Sequence, residues 1–203
     1  MVAAARRAGL SDVRVLRALR EVPRANYVPA DLVGSAYADV PLPILHGQVT
    51  TQPSLVARMV AGLGLTGDER VLEIGTGLGF QTAILASLAG HVWSVERWPD
   101  LAAAARTNLE RAGVRNADVV AGDGSEGLPE RAPFDAIIVS AAFPEVPRPL
   151  AEQLAEGRRL VQPLGSGGNE EVVAFARRGE ELVRLQTLGG ARFVRLYGRY
   201  GFS

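Results

Sequence analysis

Val71-Leu72-Glu73-Ile74 leads into Gly75-Thr76-Gly77-Leu78-Gly79-Phe80, three glycines at alternate positions, and then into Gln81–Leu88, which is apolar at a helical spacing. That order reads as strand, glycine turn and helix. A turn without Cβ atoms lets a ligand press against backbone N–H groups. Glu96 stands 21 positions after Gly75, at the end of a second apolar run. That is the distance at which a second-strand acid meets a ribose, and one carboxylate can accept from both hydroxyls of the diol. Asp123-Gly124 closes a third run and Ser140 a fourth. Asp123 is placed to accept from an exocyclic amine, and Gly124 leaves its N–H bare for a ring nitrogen. Together these residues describe a pocket for an adenosine without phosphates. A dinucleotide fingerprint needs glycine where Phe80 stands, and a phosphate loop needs lysine, which this chain lacks. The expected cofactor is therefore S-adenosyl-L-methionine.

Such strand ends converge only if the chain alternates strand and helix around a parallel sheet. The expected fold is α/β, a doubly wound, mostly parallel Rossmann-like sheet. Its strands are 70–74, 91–95, 118–121 and 134–140, with helical stretches 81–88 and 101–112 between them. A helix near 149–154 and a strand at 159–161 continue the pattern. Short strands at 172–176, 182–187 and 191–197 suggest an antiparallel end. Upstream, Ser11 or Asp12 caps a helix carrying Val13, Leu16 and Leu19 on one face, and Pro23 closes it. Residues 31–53, broken by Pro41, Pro43, Gly47 and Pro53, read as a long functional loop, and 54–65 as a helix. The whole of 1–203 is expected to be one domain, divided into a helical and loop region (1–53), a cofactor-binding core (54–165) and C-terminal strands (166–203).

Composition narrows the function. The formal net charge is zero, so no broad attraction to nucleic acid or to an anionic membrane is expected. There is no cysteine, which removes disulfides and thiolate catalysis, and the two histidines, His46 and His91, make no recognisable metal site. No stretch has transmembrane length and the N-terminus lacks a signal-peptide pattern, so the cytoplasm is the expected compartment; a monomer is the expected state.

Several blocks resemble the protein-L-isoaspartate (D-aspartate) O-methyltransferase family. Glu21-Val22-Pro23-Arg24 with Tyr27-Val28 is similar to the family's N-terminal lead-in. Leu42-Pro43-Ile44 and Gly47-Gln48-Val49-Thr50-Thr51-Gln52-Pro53 resemble its substrate loop, usually written Gly-Gln-Thr-Ile-Ser-Gln-Pro. Gly122-Asp123-Gly124, Ala132–Val139 with Ala141-Ala142, and Arg192-Phe193-Val194 are similar to further blocks. The resemblance covers nearly the whole chain. It implies a class I methyltransferase fold with an N-terminal helical addition and a rearranged C-terminal strand order. It also implies an enzyme that esterifies the free carboxylate of isoaspartyl residues in damaged proteins and so starts their repair. The cofactor set is then Glu73, Gly75, Thr76, Gly77, Gly79, Glu96, Arg97, Asp123, Gly124 and Ser140. The substrate set is His46, Gln48, Val49, Thr51, Arg192 and Phe193.

Methyl transfer to a carboxylate needs no general base, because a group with a pKa of about 4 is already ionised at neutral pH. It needs orientation and a dry site. Thr51 is the candidate hydroxyl for orienting the carboxylate, with Thr50 second. Two other functions use the same residues: methylation of Asp in one dedicated precursor peptide, and a binding module without turnover.

Overall fold

The computed structural model describes residues 1–203. Two short helices, α1 (Val2–Arg7) and α2 (Val13–Glu21), open the chain. Asp12 caps α2, its carboxylate accepting from the Arg14 and Val15 N–H groups. The buried face of α2 is Val15, Leu16, Ala18 and Leu19. Val13 is 75% exposed, so the expected stripe is corrected at its first position, where the side chain projects before the helix meets the core. Residues 31–53 are mostly irregular, as expected, but they hold a two-stranded hairpin, β1 (Leu42–Pro43) and β2 (Val49–Thr50).

Helix α3 (Pro53–Leu63) follows, with Pro53 in its first turn and Gly64 ending it in the left-handed region. The core then alternates as β3 (Arg70–Ile74), α4 (Phe80–Ala86), β4 (His91–Glu96), α5 (Pro99–Arg111), β5 (Ala117–Ala121), β6 (Phe134–Val139) and α6 (Arg148–Gln153). Three long strands close the chain: β7 (Leu154–Leu164), β8 (Glu170–Arg178) and β9 (Glu181–Ala191). The sheet order is β5-β4-β3-β6-β7-β8-β9, parallel from β5 to β7 and antiparallel from β7 to β9. The chain winds outward from β3 to β5 and crosses back to β6, so a crevice opens between the ends of β3 and β6.

Side chains alternate across this sheet. Val71, Val92, Ala136 and Ile138 face one core, built with α1 to α5, while Leu72, Trp93, Ile137 and Val139 face a smaller one under α6. Residues such as Ile137 and Ile138 are wholly buried, each worth about 1.5–3 kcal/mol of transfer free energy. Burial on both faces makes the central strands near-continuously apolar.

The expected strand at 191–197 is not formed. Beyond Ala191 the chain leaves the ladder, because the Phe193 N–H donates to the buried Glu170 carboxylate (2.8 Å). Isolated bridges remain, from Arg195 to Ala142 and from Tyr197 to Phe202, and the first lays the segment over the end of β6 instead of along β9.

Candidate active site

The glycine turn after β3 has Gly75, Gly77 and Gly79 at φ 93, 57 and 95°, a left-handed series that side chains rarely adopt. Three carboxylates have distinct duties around it. Glu73 is fully buried and accepts from Gln81 Nε2 (2.9 Å), Thr82 Oγ1 (2.5 Å) and Ser94 Oγ (2.7 Å). Burial overrides these donors and pushes its carboxyl up to about 7. Glu96, at the end of β4, accepts from the Gly77 N–H (2.8 Å) and the Trp98 N–H (3.0 Å). Burial raises it too, against the hydrogen bonds from these backbone groups. Asp123 accepts from the Ser125 N–H and hydroxyl (2.8 and 2.6 Å) and from the Arg199 N–H (2.7 Å). It is held below the ordinary range: burial works the other way, but these hydrogen bonds and the Arg97 charge outweigh it.

A cavity of about 970 Å³, counting its open mouth, lies beyond the ends of β3, β4 and β6. Its floor is Ile74, Gly75, Thr76, Gly77, Gln81 and Ser140; one end carries Glu96, Arg97, Trp98 and Gly124. Its roof is the hairpin region, with Ile44, Gln48, Val49, Thr50 and Thr51, together with Val194–Tyr197 of the C-terminal segment. A second groove shares Gln48, Val194, Arg195 and Tyr197 with this mouth and adds Arg192 and Phe193.

One buried cation holds the roof in place. The Arg24 guanidinium, fully buried, donates to the carbonyls of Ala36 (3.2 Å), Ala38 (3.0 Å), Val40 (3.1 Å) and Thr51 (3.3 Å) and to Thr50 Oγ1 (2.7 Å). Burial pulls it down to about 10, partly opposed by Asp39, so it stays charged at neutral pH. Asp39 accepts from the Ser54 N–H (2.8 Å) and from Gln52 Nε2 (2.9 Å), tying the loop to the start of α3. At the hairpin tip His46, at φ 59°, stacks on Trp98 with ring centroids 4.0 Å apart, and its Nε2 meets Asp100 at 2.7 Å.

The structure therefore gathers Gly75, Thr76, Gly77, Glu96, Arg97, Gly124, Ser140, Gln48, Val49, Thr50 and Thr51 around one cavity. Other expected site residues stand elsewhere. Glu73 lies beneath the turn and orders Gln81, Thr82 and Ser94. Gly79 packs against α5, where a Cβ would meet Leu109 Cγ at 3.3 Å. The Asp123 carboxylate is engaged by the C-terminal segment and does not line the cavity, although Gly124 does. His46 clasps the roof to α5 from outside, and Arg192 and Phe193 belong to the neighbouring groove. Thr50 is corrected most sharply. Its hydroxyl oxygen accepts from both Arg24 and the Leu42 N–H (3.2 Å), so it serves the hairpin. Thr51 lines the cavity; its carbonyl is held by Arg24, and its side-chain hydroxyl makes no hydrogen bond within the chain. Arg24 and Gln81 were given no site role from the sequence; the one signal for Arg24 was its place in the Glu21-Val22-Pro23-Arg24 block that resembles the family's N-terminal lead-in.

The lining suits an adenosine bearing a sulfonium side chain. Glu96 presents a buried diol acceptor. At Gly77 a Cβ would fill the gap to Ile44 Cδ1, reaching 3.6 Å, so the glycine keeps that cradle open. No lysine and no second acid line the cavity. Fold and cavity define the class: a Rossmann-like, S-adenosyl-L-methionine-dependent methyltransferase. A sequence model described as protein-L-isoaspartate(D-aspartate) O-methyltransferase matches residues 1–201, and the chain belongs to that family. The protein-L-isoaspartate O-methyltransferase of Methanoculleus marisnigri is 50% identical over 195 residues, 96% of this chain and 88% of its own length. That of Anaeromyxobacter dehalogenans is 52% identical over 190 residues, covering 93% and 91%. A solved protein-L-isoaspartate O-methyltransferase superposes with a TM-score of 0.85 at 30% identity, covering 98% of this chain and 66% of the other. A Plasmodium falciparum protein crystallised in complex with S-adenosyl-L-homocysteine shares the fold, with a TM-score of 0.79 at 23% identity over 97% of this chain and 96% of its own.

Proposed function

We propose that this protein methylates the free carboxylate of L-isoaspartyl residues in damaged proteins and peptides, and that Thr51 orients that carboxylate. The supporting observation is the placement of Thr51. Its hydroxyl has no partner in the chain, and it lines the cavity where the glycine turn faces the hairpin.

S-adenosyl-L-methionine supplies, when bound, a methyl group made electrophilic by its sulfonium. Glu96, its carboxylate held by the Gly77 and Trp98 N–H groups, would accept from the ribose diol of that cofactor. Ser140 and Gln81, themselves joined (2.9 Å), form the floor. No histidine lines the cavity, which fits an acceptor that arrives already ionised. Ile44, Val49 and Leu196 give the roof apolar surface. Opposite charges are neutralised in the transfer, so a dry site favours it. An arginine clamped on the acceptor would stabilise the ground state more than the transition state. A single hydroxyl orients the carboxylate with less of that penalty.

The isoaspartyl main chain runs through the side-chain carbonyl, leaving a short carboxylate beside a peptide N–H. The groove shared by Gln48, Val194, Arg195 and Tyr197 is suited to an extended peptide that presents this group at the mouth. We further propose a single chain as the acting unit and the cytoplasm as its compartment. No helix is long and apolar enough to cross a membrane.

Thr51→Val tests the assignment. Turnover on an isoaspartyl peptide is expected to fall on the order of tenfold or more, with S-adenosyl-L-homocysteine affinity unchanged, while Thr51→Ser stays active. Full turnover in Thr51→Val would mean that backbone donors alone orient the acceptor.

A further inference from the structure

Arg24 heads the fully buried side chains by volume, yet it lines neither the cavity nor the adjoining groove. It sits over the Phe80 ring (5.7 Å to the centroid), and its hydrogen bonds all go to the loop. One nitrogen of the fork reaches the outgoing limb at Ala36 and Ala38, and the other spans Val40 and the returning limb at Thr50 and Thr51. Between those limbs the backbone pairs over Leu42–Pro43 and Val49–Thr50, with one further bond from the Ile44 N–H to the Gln48 carbonyl (2.9 Å), so the ladder that holds the loop is short. A planar guanidinium can satisfy acceptors on both limbs at fixed angles. An ammonium, with its donors on one atom, cannot span them. The guanidinium itself is buried, so the loop acceptors take the place of water as its partners, and the loop conformation and the fork hold each other.

We propose that Arg24 is a positioning residue for methyl transfer: by fixing the Thr50 hydroxyl and the Thr51 carbonyl it sets the direction of the Thr51 hydroxyl toward the acceptor carboxylate. The inference rests on the role given to Thr51 above. A residue that only stabilised the fold would change turnover independently of Thr51. A residue that acts through Thr51 loses its influence once that hydroxyl is gone, because a misdirected hydroxyl and an absent one are equivalent.

The test is a double-mutant cycle on the full chain, using an isoaspartyl peptide at saturating S-adenosyl-L-methionine, with S-adenosyl-L-homocysteine affinity measured by calorimetry. Arg24→Lys is expected to lower kcat about tenfold while shifting cofactor-product affinity by less than about twofold. In a Thr51→Val background the same change is expected to lower kcat by less than about twofold. Effects that multiply in full, or an Arg24→Lys enzyme with undiminished kcat, overturn the inference while leaving Thr51 in its role. Undiminished kcat in Thr51→Val alone overturns the Thr51 assignment and this inference with it. Should Arg24→Lys fail to fold, Thr50→Val removes the 2.7 Å contact, together with the Leu42 N–H bond to the same oxygen, and leaves the guanidinium with its carbonyls. A kcat loss that vanishes in the Thr51→Val background supports the proposal, and one that persists there overturns it.

Discussion

At the scale of single residues, two glutamates ending neighbouring parallel strands do opposite things. Glu96 faces the cavity with two N–H donors behind it. Glu96→Ala removes the diol acceptor and strips both donors of their partner, so S-adenosyl-L-homocysteine affinity should drop by about 1–3 kcal/mol. Calorimetric titration checks this, and unchanged affinity in a folded variant would remove Glu96 from the ribose. Glu73 is sealed beneath the turn, and its carboxyl is pushed up to about 7 by burial. The unfolded chain has an ordinary glutamate there, so between about pH 4.5 and 7 the folded state binds more protons. Stability from this group is full below that window and lost as pH rises through it, by roughly 2–4 kcal/mol. Glu73→Gln keeps an acceptor for Gln81 and offers its amide to hydroxyls that can rotate. Its stability relative to the native chain should therefore improve from pH 5 to pH 7.5 in denaturant titrations. A pH-independent difference would show that Glu73 is ionised throughout.

At the scale of elements, the loop roofing the cavity is tied to α3 through Asp39. Its carboxylate caps the helix at the Ser54 N–H and holds Gln52, and these bonds outweigh burial to keep its pKa below the ordinary range. Asp39→Ala should cost about 0.5–2 kcal/mol at neutral pH. The depressed pKa means that this stabilisation is present above the ordinary aspartate range and is lost as pH falls through the folded value. The two proteins should thus converge in stability at acid pH, and equal differences at pH 7 and pH 3 would contradict the cap. The parallel elements were legible in the sequence because burial on both faces writes itself as apolar runs ending in Glu73, Glu96 and Ser140. The roof was only partly legible. Thr50 and Thr51 look alike as letters, and what separates them is Arg24, whose partners are mostly backbone carbonyls spread over residues 36–51 and leave no side-chain pattern. The segment 191–197 misled for a related reason. It has a strand's composition, but a side chain, Glu170, takes the N–H that a ladder would have used.

At the scale of the whole molecule, a rigid parallel core supplies the cofactor floor, and segments from the two ends of the chain supply the mouth. Residues 42–51 and 192–197 meet over the ends of β3 and β6 without contributing a strand to the main sheet. On the function proposed above, the mouth selects a bound peptide by how far its carboxylate stands from its main chain. Isoaspartate and aspartate differ by about one bond in that distance, and an error of about 1 Å in an in-line displacement can cost on the order of a hundredfold in rate. The most direct test uses two synthetic peptides of one sequence, one with an isoaspartyl and one with an aspartyl linkage, incubated with the full chain and labelled S-adenosyl-L-methionine. Base-labile methyl ester should form on the isoaspartyl peptide at a rate on the order of a hundredfold above its aspartyl partner. Equal rates on the two peptides, or ester on the aspartyl peptide alone, would contradict the account.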